Sequence, residues 1–274
     1  MIMWGRPPPA VRLASLSNPP CSTFPPISTA SRTADTLHLR WRCSVTCIAL
    51  ICSVSPLRTS TLCWAVVLGR RIACDEDAFI RKIVAQRRGG FCYELNGAFA
   101  ELLRAIGFKA TLLSARVPRE DGSDGPEFDH LALSVDLHEP WLADVGFGDS
   151  FLEPLQLRSG AEQSQDGWTY RVVDCGNSLC VERTERDAVW KRQYSFTLTP
   201  RSLYDFAAMC HYHQTSPESP FTRKGVYSMA TPEGRITVAD RKLIFTGNRS
   251  REERLLASDT EWRAALKEHF AIVL

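Results

Sequence analysis

Residues 1–65 contain no lysine and a single acidic side chain, Asp35. Soluble domains carry far more charge of both signs, and the residues after 70 are ordinary in this respect. Helical periodicity is missing from the same stretch, which holds half of the chain's 16 prolines and half of its 10 cysteines. Its apolar run, Cys47 to Val54, is much shorter than a membrane span. Arg40 and Arg42 lie too deep for a secretory signal. Cys43, Cys47, Cys52 and Cys63 lack the paired short spacings that hold zinc, and Cys175 with Cys180, or Cys210 with His211 and His213, are equally weak. No metal site is expected. Nowhere does a glycine-rich loop end in Lys-Ser or Lys-Thr to cradle phosphates, and no internal repeat is visible. A net charge of +2 with dispersed basic residues leaves no nucleic-acid footprint.

What the chain does have is a cysteine poised at a helix start. Arg87-Arg88-Gly89-Gly90-Phe91-Cys92-Tyr93-Glu94-Leu95-Asn96 leads into an amphipathic pattern. Leu95, Ala98, Phe99, Leu102, Leu103 and Ile106 form one apolar stripe, and Gly107 follows as a stop. Upstream, Asp75 caps a shorter helix with Phe79, Ile80, Ile83 and Val84 on one face. A helix N-terminus carries partial positive charge, which favours thiolate over thiol, and the thiolate is the nucleophile. The alternative for Cys92 is a small buried residue near a helix start.

A base and its orienter follow. Lys109 to Val117 reads as a strand. His130 to Leu137 alternates, with Leu131, Leu133, Val135 and Leu137 on one face. Trp141 to Phe147 reads as the next strand. With the intervening turn centred near Leu137, His130 and Asp144 stand opposite each other on antiparallel neighbours. An imidazole needs such a carboxylate to fix its tautomer and hold its charge. Asp144 interrupts an apolar run, a costly place for an idle carboxylate. The alternative is a structural His–Asp pair bracing a sheet.

These segments resemble the arylamine N-acetyltransferase family. The nucleophile motif is Arg87 to Asn96. Asp129-His130-Leu131-Ala132-Leu133 and Trp141-Leu142-Ala143-Asp144-Val145-Gly146-Phe147-Gly148 resemble its other catalytic elements. Thr215-Ser216-Pro217-Glu218-Ser219-Pro220-Phe221, followed by Ala230-Thr231-Pro232-Glu233-Gly234, is a fourth match. The resemblance runs from about Val66 to the C-terminus.

The resemblance implies an α+β fold. Its catalytic core is cysteine-protease-like, with a helical segment, an antiparallel β-barrel and a small α/β lid. Residues 66–108 would complete the helical domain, 109–200 the barrel and 201–274 the lid. It implies that Cys92 takes an acetyl group from acetyl-coenzyme A as a thioester, that His130 handles the proton, and that Asp144 orients His130. An arylamine or hydrazine would then attack, completing a ping-pong cycle. Backbone N–H groups near Cys92 would hold the oxyanion. Gly146, Phe147 and Phe221 resemble positions beside the coenzyme and the acceptor; the alternatives are a turn glycine and core aromatics. Acetyl-coenzyme A would be a co-substrate, with no permanently bound cofactor, nucleic acid or membrane partner. The expected setting is the cytoplasm. No disulfide framework is expected, because a reactive thiol suits a reducing compartment. Rival readings are a Cys-His-Asp hydrolase or transglutaminase-like enzyme, and an inactive remnant.

Residues 1–65 depart from the family. Its members carry a Pro-Phe-Glu-Asn-Leu-like stretch where this chain reads Ser60-Thr61-Leu62-Cys63-Trp64-Ala65. The segment reads as disordered, or as translated from a shifted frame or mistaken start; a transit peptide is the other reading. Leu62 would replace the glutamate that pairs with the arginine matching Arg88. A chain so altered is expected to fold poorly or turn over weakly.

The remaining expectations concern the second half. Thr169–Val173, Leu179–Arg183 and Gln193–Thr199 read as strands of a barrel, and residues 202–210 as helix. Gly225–Met229, Arg235–Ala239 and Lys242–Thr246 read as a small sheet. The cluster from Arg249 to Arg254 reads as a solvated face. Asp259 caps a last helix with Trp262, Ala265, Leu266 and His269 along its stripe. His138, His211, His213 and His269 read as surface or packing residues.

Overall fold

The computed structural model describes residues 59–61 and 71–273, except 87, 158, 159, 166, 186–188, 224, 232, 233, 248 and 249. The expectation for residues 1–65 falls outside the described residues, save for a strand at Thr59–Thr61 (β1). Arg88 is exposed, and the replacement expected at Leu62 lies outside the described residues.

Asp75 caps α1 (Glu76–Ile80) by accepting the Ala78 N–H at 2.7 Å, as its sequence position suggests. The helix widens into a π-type turn over Arg81–Ala85. Phe79 and Ile83 are buried, whereas Ile80 and Val84, each one residue further round the axis, are exposed. Helix α2 (Cys92–Ala105) begins at the cysteine and stops at Gly107, whose φ of +96° suits glycine. Its apolar stripe needs correction. Leu95, Ala98, Phe99 and Leu103 are buried, but Leu102 and Ile106 are exposed, while Asn96, Gly97 and Ala100 are buried instead. The helix is covered on two sides, by the sheet and by α1, so its buried face is rotated towards α1.

Strands β2 (Lys109–Arg116), β3 (His130–Asp136) and β4 (Pro140–Ala143) form a meander. Leu133 pairs with Ala143 and Asp136 with Pro140, so the turn centres on His138 rather than Leu137. The Leu137 N–H donates to the Glu139 carbonyl at 3.2 Å and fixes this register. β4 ends one residue before Asp144, not at Phe147. Extending the register sets Asp144 beside Ala132, two residues along from His130 on one face, so the two side chains remain neighbours. β3 is also buried on both faces. Leu131, Leu133 and Val135 pack with α1 and α2, and Ala132 packs into the barrel.

The meander continues into β5 (Leu155–Gln156), β6 (Gln163–Gln165), β7 (Trp168–Asp174), β8 (Leu179–Glu185) and β9 (Lys191–Phe196). The antiparallel sheet runs β5-β4-β3-β2-β9-β8-β7-β6. Its two edges are stitched by glutamines. Gln163 bonds the Gln156 N–H and the Pro154 carbonyl, and Gln165 bonds the Leu152 and Glu153 N–H groups and the Glu153 carbonyl. This curls the sheet into a nearly closed barrel without a regular strand pair at the seam. β9 lies slightly earlier than expected. Contrary to expectation, Cys175 and Cys180 are bonded to each other, because the β7–β8 hairpin brings their Cα atoms to 6.0 Å.

A turn at Leu203–Phe206 runs into α3 (Ala207–Thr215), followed by the short α4 (Pro220–Arg223). The second sheet, ordered β1-β10-β11-β12-β13, contains β10 (Val226–Thr231), β11 (Gly234–Ala239), β12 (Lys242–Gly247) and β13 (Arg251–Leu255). β13, expected only as a solvated face, is an exposed edge strand whose charges discourage further pairing. Helix α5 (Asp259–Phe270) is capped by Ser258 rather than Asp259; the Ser258 hydroxyl accepts the Glu261 N–H at 3.2 Å. Ala265, Leu266 and Phe270 pack on Tyr227, Val238 and Leu243 to form a third apolar core.

Candidate active site

Cys92 is the first residue of α2, half-buried at the helix N-terminus. His130 opens β3 and is 3% exposed. Its Nε2 lies 2.7 Å from Asp144 Oδ2, and its side chain also interacts with that of Cys92. Burial opposes a charged imidazole, but the Asp144 carboxylate and the negative charge available at Cys92 outweigh it. The His130 pKa is pushed up from 6.5 to about 10. An imidazolium between a carboxylate and a sulfur is the favoured state of the site at neutral pH.

Asp144 is held from every side. Oδ2 accepts the Tyr194 hydroxyl at 3.0 Å in addition to His130. Oδ1 accepts the Asn96 amide at 2.8 Å and the N–H groups of Gly146 and Phe147 at 2.8 and 3.2 Å. Burial alone would raise its pKa, but His130, Asn96 and Gly146 hold it below the ordinary carboxylate value. Burial and the Asp144 charge push Tyr194 well above its ordinary value, so its phenol stays a donor.

Three residues here escaped the sequence reading. Asn96 sits one turn after Cys92 and ties α2 to the sheet: its amide also donates to the Leu131 carbonyl at 2.6 Å and its oxygen accepts the Val145 N–H at 2.9 Å. A polar residue inside a buried helix segment was the available signal. Tyr194 comes from distant β9, and its reach to Asp144 could not be read from spacing. Glu94, 2% exposed, accepts Lys82 Nζ at 2.8 Å on each oxygen and the Phe91 N–H at 3.0 Å, fixing the start of α2. Its place three residues after the N-cap was the signal.

The expected neighbours are brought together unequally. Gly146 lies directly against Cys92: a Cβ there would stand 2.7 Å from Cys92 Cα. Close approach, not turn conformation, is what requires glycine. Phe147 meets the His130 ring edge-on at 5.1 Å and lines a cleft with Asp144, Val145, Phe151 and Arg235. Phe221 is not among those lining residues; it packs on Phe91 at 5.8 Å and His213 at 4.8 Å. His213, read as a surface or packing residue, is a packing one, buried against Asp129, Ser219, Tyr93 and Phe221.

Comparison with known proteins identifies the family. The family model described as N-acetyltransferase matches residues 64–274. The pineal gland isozyme NAT-3, an arylamine N-acetyltransferase of Gallus gallus, is 32% identical over 232 residues, covering 75% of this chain and 80% of that protein. Arylamine N-acetyltransferase 1 of Homo sapiens is 31% identical, covering 72% and 77%. Among solved structures, the Mycobacterium marinum arylamine N-acetyltransferase superposes with a TM-score of 0.75 at 25% identity, covering 88% of this chain and 86% of that one. The same enzyme in complex with CoA gives a TM-score of 0.75 over 83% and 84%. The chain belongs to the arylamine N-acetyltransferase family.

Proposed function

We propose that this protein transfers an acetyl group from acetyl-coenzyme A to an arylamine or hydrazine through a thioester on Cys92. The observation that carries the reading is the buried His130, hydrogen-bonded to the Asp144 carboxylate and interacting with Cys92 at the start of α2. In the first half-reaction the Cys92 thiolate attacks the acetyl carbonyl. The tetrahedral oxyanion is met by N–H groups of the first turn of α2. The carbon–sulfur bond to coenzyme A breaks, and His130 gives its proton to the leaving thiolate. In the second, the amine attacks the thioester and His130 takes up its proton as Cys92 leaves. Asp144 holds the imidazole orientation and balances its charge throughout.

Gly146 lets its backbone pack against Cys92 and so fixes the nucleophile's place, and Phe147 supplies an apolar wall beside His130. Phe221 shapes the acceptor side through Phe91. The M. marinum relative binds CoA, which supports acetyl-coenzyme A as the co-substrate. Among the described residues no helix is long and apolar enough to cross a membrane, which is compatible with a cytoplasmic setting. The atypical front segment leads us to expect low turnover from the 274-residue chain.

The test is incubation with isotopically labelled acetyl-coenzyme A, peptide mass spectrometry of Cys92, and then addition of an arylamine. Label on Cys92 that moves to the amine supports the proposal. Label that is lost only to water points to a hydrolase instead, and no label on Cys92 overturns the mechanism.

A further inference from the structure

His213 is 3% exposed on α3, and its ring touches the three segments that frame the site. It stacks on Tyr93, the residue after Cys92, with centroids 6.2 Å apart and planes 24° apart. It meets Phe221 edge-on at 4.8 Å. Its Nδ1 lies 3.2 Å from the hydroxyl of the fully buried Ser219. Its Nε2 lies 3.1 Å from Asp129 Oδ1, on the residue before His130. That approach is off-axis: Nε2 is buried and makes no hydrogen bond, so His213 and Asp129 meet as close neighbours.

The loop that delivers His130 needs such an anchor. Phe128 adopts φ of +65°, a region bulky side chains rarely enter and keep only where surrounding contacts enforce it. Its N–H donates to the Ser114 hydroxyl at 2.8 Å, and its carbonyl accepts the Tyr93 hydroxyl at 2.8 Å. Tyr93 thus grips the backbone of this loop, and His213 faces the carboxylate of the next residue. Asp129 lies between the strained Phe128 and His130, the first residue of β3. A movement at Asp129 passes directly to His130, because the two are covalent neighbours at the edge of a close-packed core.

We propose that His213 is a positioning residue: through Asp129 and Tyr93 it sets where His130 stands relative to Cys92, and it couples that placement to the Phe221 segment. It touches no reacting atom. The inference rests on the reading of Cys92 and His130 as nucleophile and base.

The test uses the full chain and the variants His213→Phe, His213→Gln and Asp129→Asn. Phenylalanine fills the ring space without nitrogens, glutamine keeps a polar end that can face Asp129 and Ser219, and asparagine keeps the Asp129 shape without its charge. Three rates are measured: alkylation of Cys92 by iodoacetamide at pH 7, single-turnover acetylation by acetyl-coenzyme A, and steady-state turnover against amine concentration. Both Cys92 rates fall roughly tenfold or more in His213→Phe and Asp129→Asn, with the amine KM unchanged, and His213→Gln recovers most of the loss. Should His213→Phe fail to fold, Asp129→Asn carries the same readings. Unchanged Cys92 alkylation in the folded variants, or an effect confined to the amine KM, overturns the proposal and leaves His213 a pocket wall. Failure of the parent reading looks different: the unaltered chain would alkylate at Cys92 yet take no acetyl group there.

Discussion

Gly146 and Cys92 touch backbone to backbone. A Cβ on Gly146 would lie 2.7 Å from Cys92 Cα, 2.8 Å from the Asn96 amide nitrogen and 3.0 Å from Cys92 Cβ. None of these is the free end of a flexible chain, so an added methyl must move the nucleophile or the Asn96 bridge. Gly146→Ala is therefore expected to destabilise the fold by about 1–3 kcal/mol and to lower kcat/KM by about 100-fold. Denaturant unfolding and initial rates with acetyl-coenzyme A separate the two effects; a fully active alanine variant would show that the approach is not required.

The Asp144 carboxylate receives the imidazole, Tyr194, the Asn96 amide and two backbone N–H groups. Asp144→Asn keeps the shape but turns one oxygen into a donor facing other donors. It also removes the charge that most raises the His130 pKa. The expected result is a loss of roughly 1,000-fold or more in kcat, with substrate KM little changed. Tyr194→Phe leaves the other donors in place, and its effect should stay near one lost hydrogen bond, about 1 kcal/mol. Stopped-flow acetylation of Cys92 in both variants tests this ranking; equal losses would contradict it.

Much of this site was legible because the chemistry is local. Cys92 starts a helix that its own glycines and apolar spacing announce, and Asp144 is conspicuous in an apolar run. The fold class followed from the resemblance of four segments. Less visible was whatever depends on long-range packing. The β3–β4 register was missed by two residues because turn geometry, not hydrophobic pattern, centres the hairpin on His138 rather than Leu137. Leu102 and Ile106 looked like core, but which side of α2 is covered depends on α1. The Gln163 and Gln165 stitching and the reach of Tyr194 exist only once the sheet has curled. His213 looked idle because its partner Asp129 lies 84 residues earlier in the chain.

The pKa directions fix a pH window. His130 is raised from 6.5 to about 10 by its partners despite burial, so its contribution to stability is complete below about 6.5 and fades as pH climbs towards about 10. Asp144 is lowered from 3.8, so its contribution is present above about 4 and is lost as pH falls through its folded value. The difference in melting temperature between the unaltered chain and His130→Gln should be largest between about pH 4 and 6.5 and shrink on the alkaline side. Acetylation of Cys92, which needs the imidazolium to protonate the departing thiolate, should hold through neutrality and decline near pH 10. A steep loss of acetylation between pH 6 and 8 would contradict the ion-pair state.

Lys82 and Glu94 make the last expectation. Glu94 is 2% exposed and Lys82 23% exposed, and the ammonium spans both carboxylate oxygens at 2.8 Å. Glu94 also accepts the Phe91 N–H, so the same carboxylate holds the residue before the nucleophile. Lys82→Met leaves a buried carboxylate without its cation. It should cost about 3–5 kcal/mol, reduced somewhat because water still reaches the lysine side. Glu94→Gln removes the charge but keeps an acceptor for Phe91 and should cost less. The double variant Lys82→Met with Glu94→Gln should recover part of the loss, since the uncompensated charge is gone. Urea unfolding of the three variants gives the coupling directly; additive losses would mean that the pair does not act as a unit. Because Glu94 anchors the first turn of α2, the single lysine variant should also slow Cys92 acetylation even at temperatures where the fold is intact.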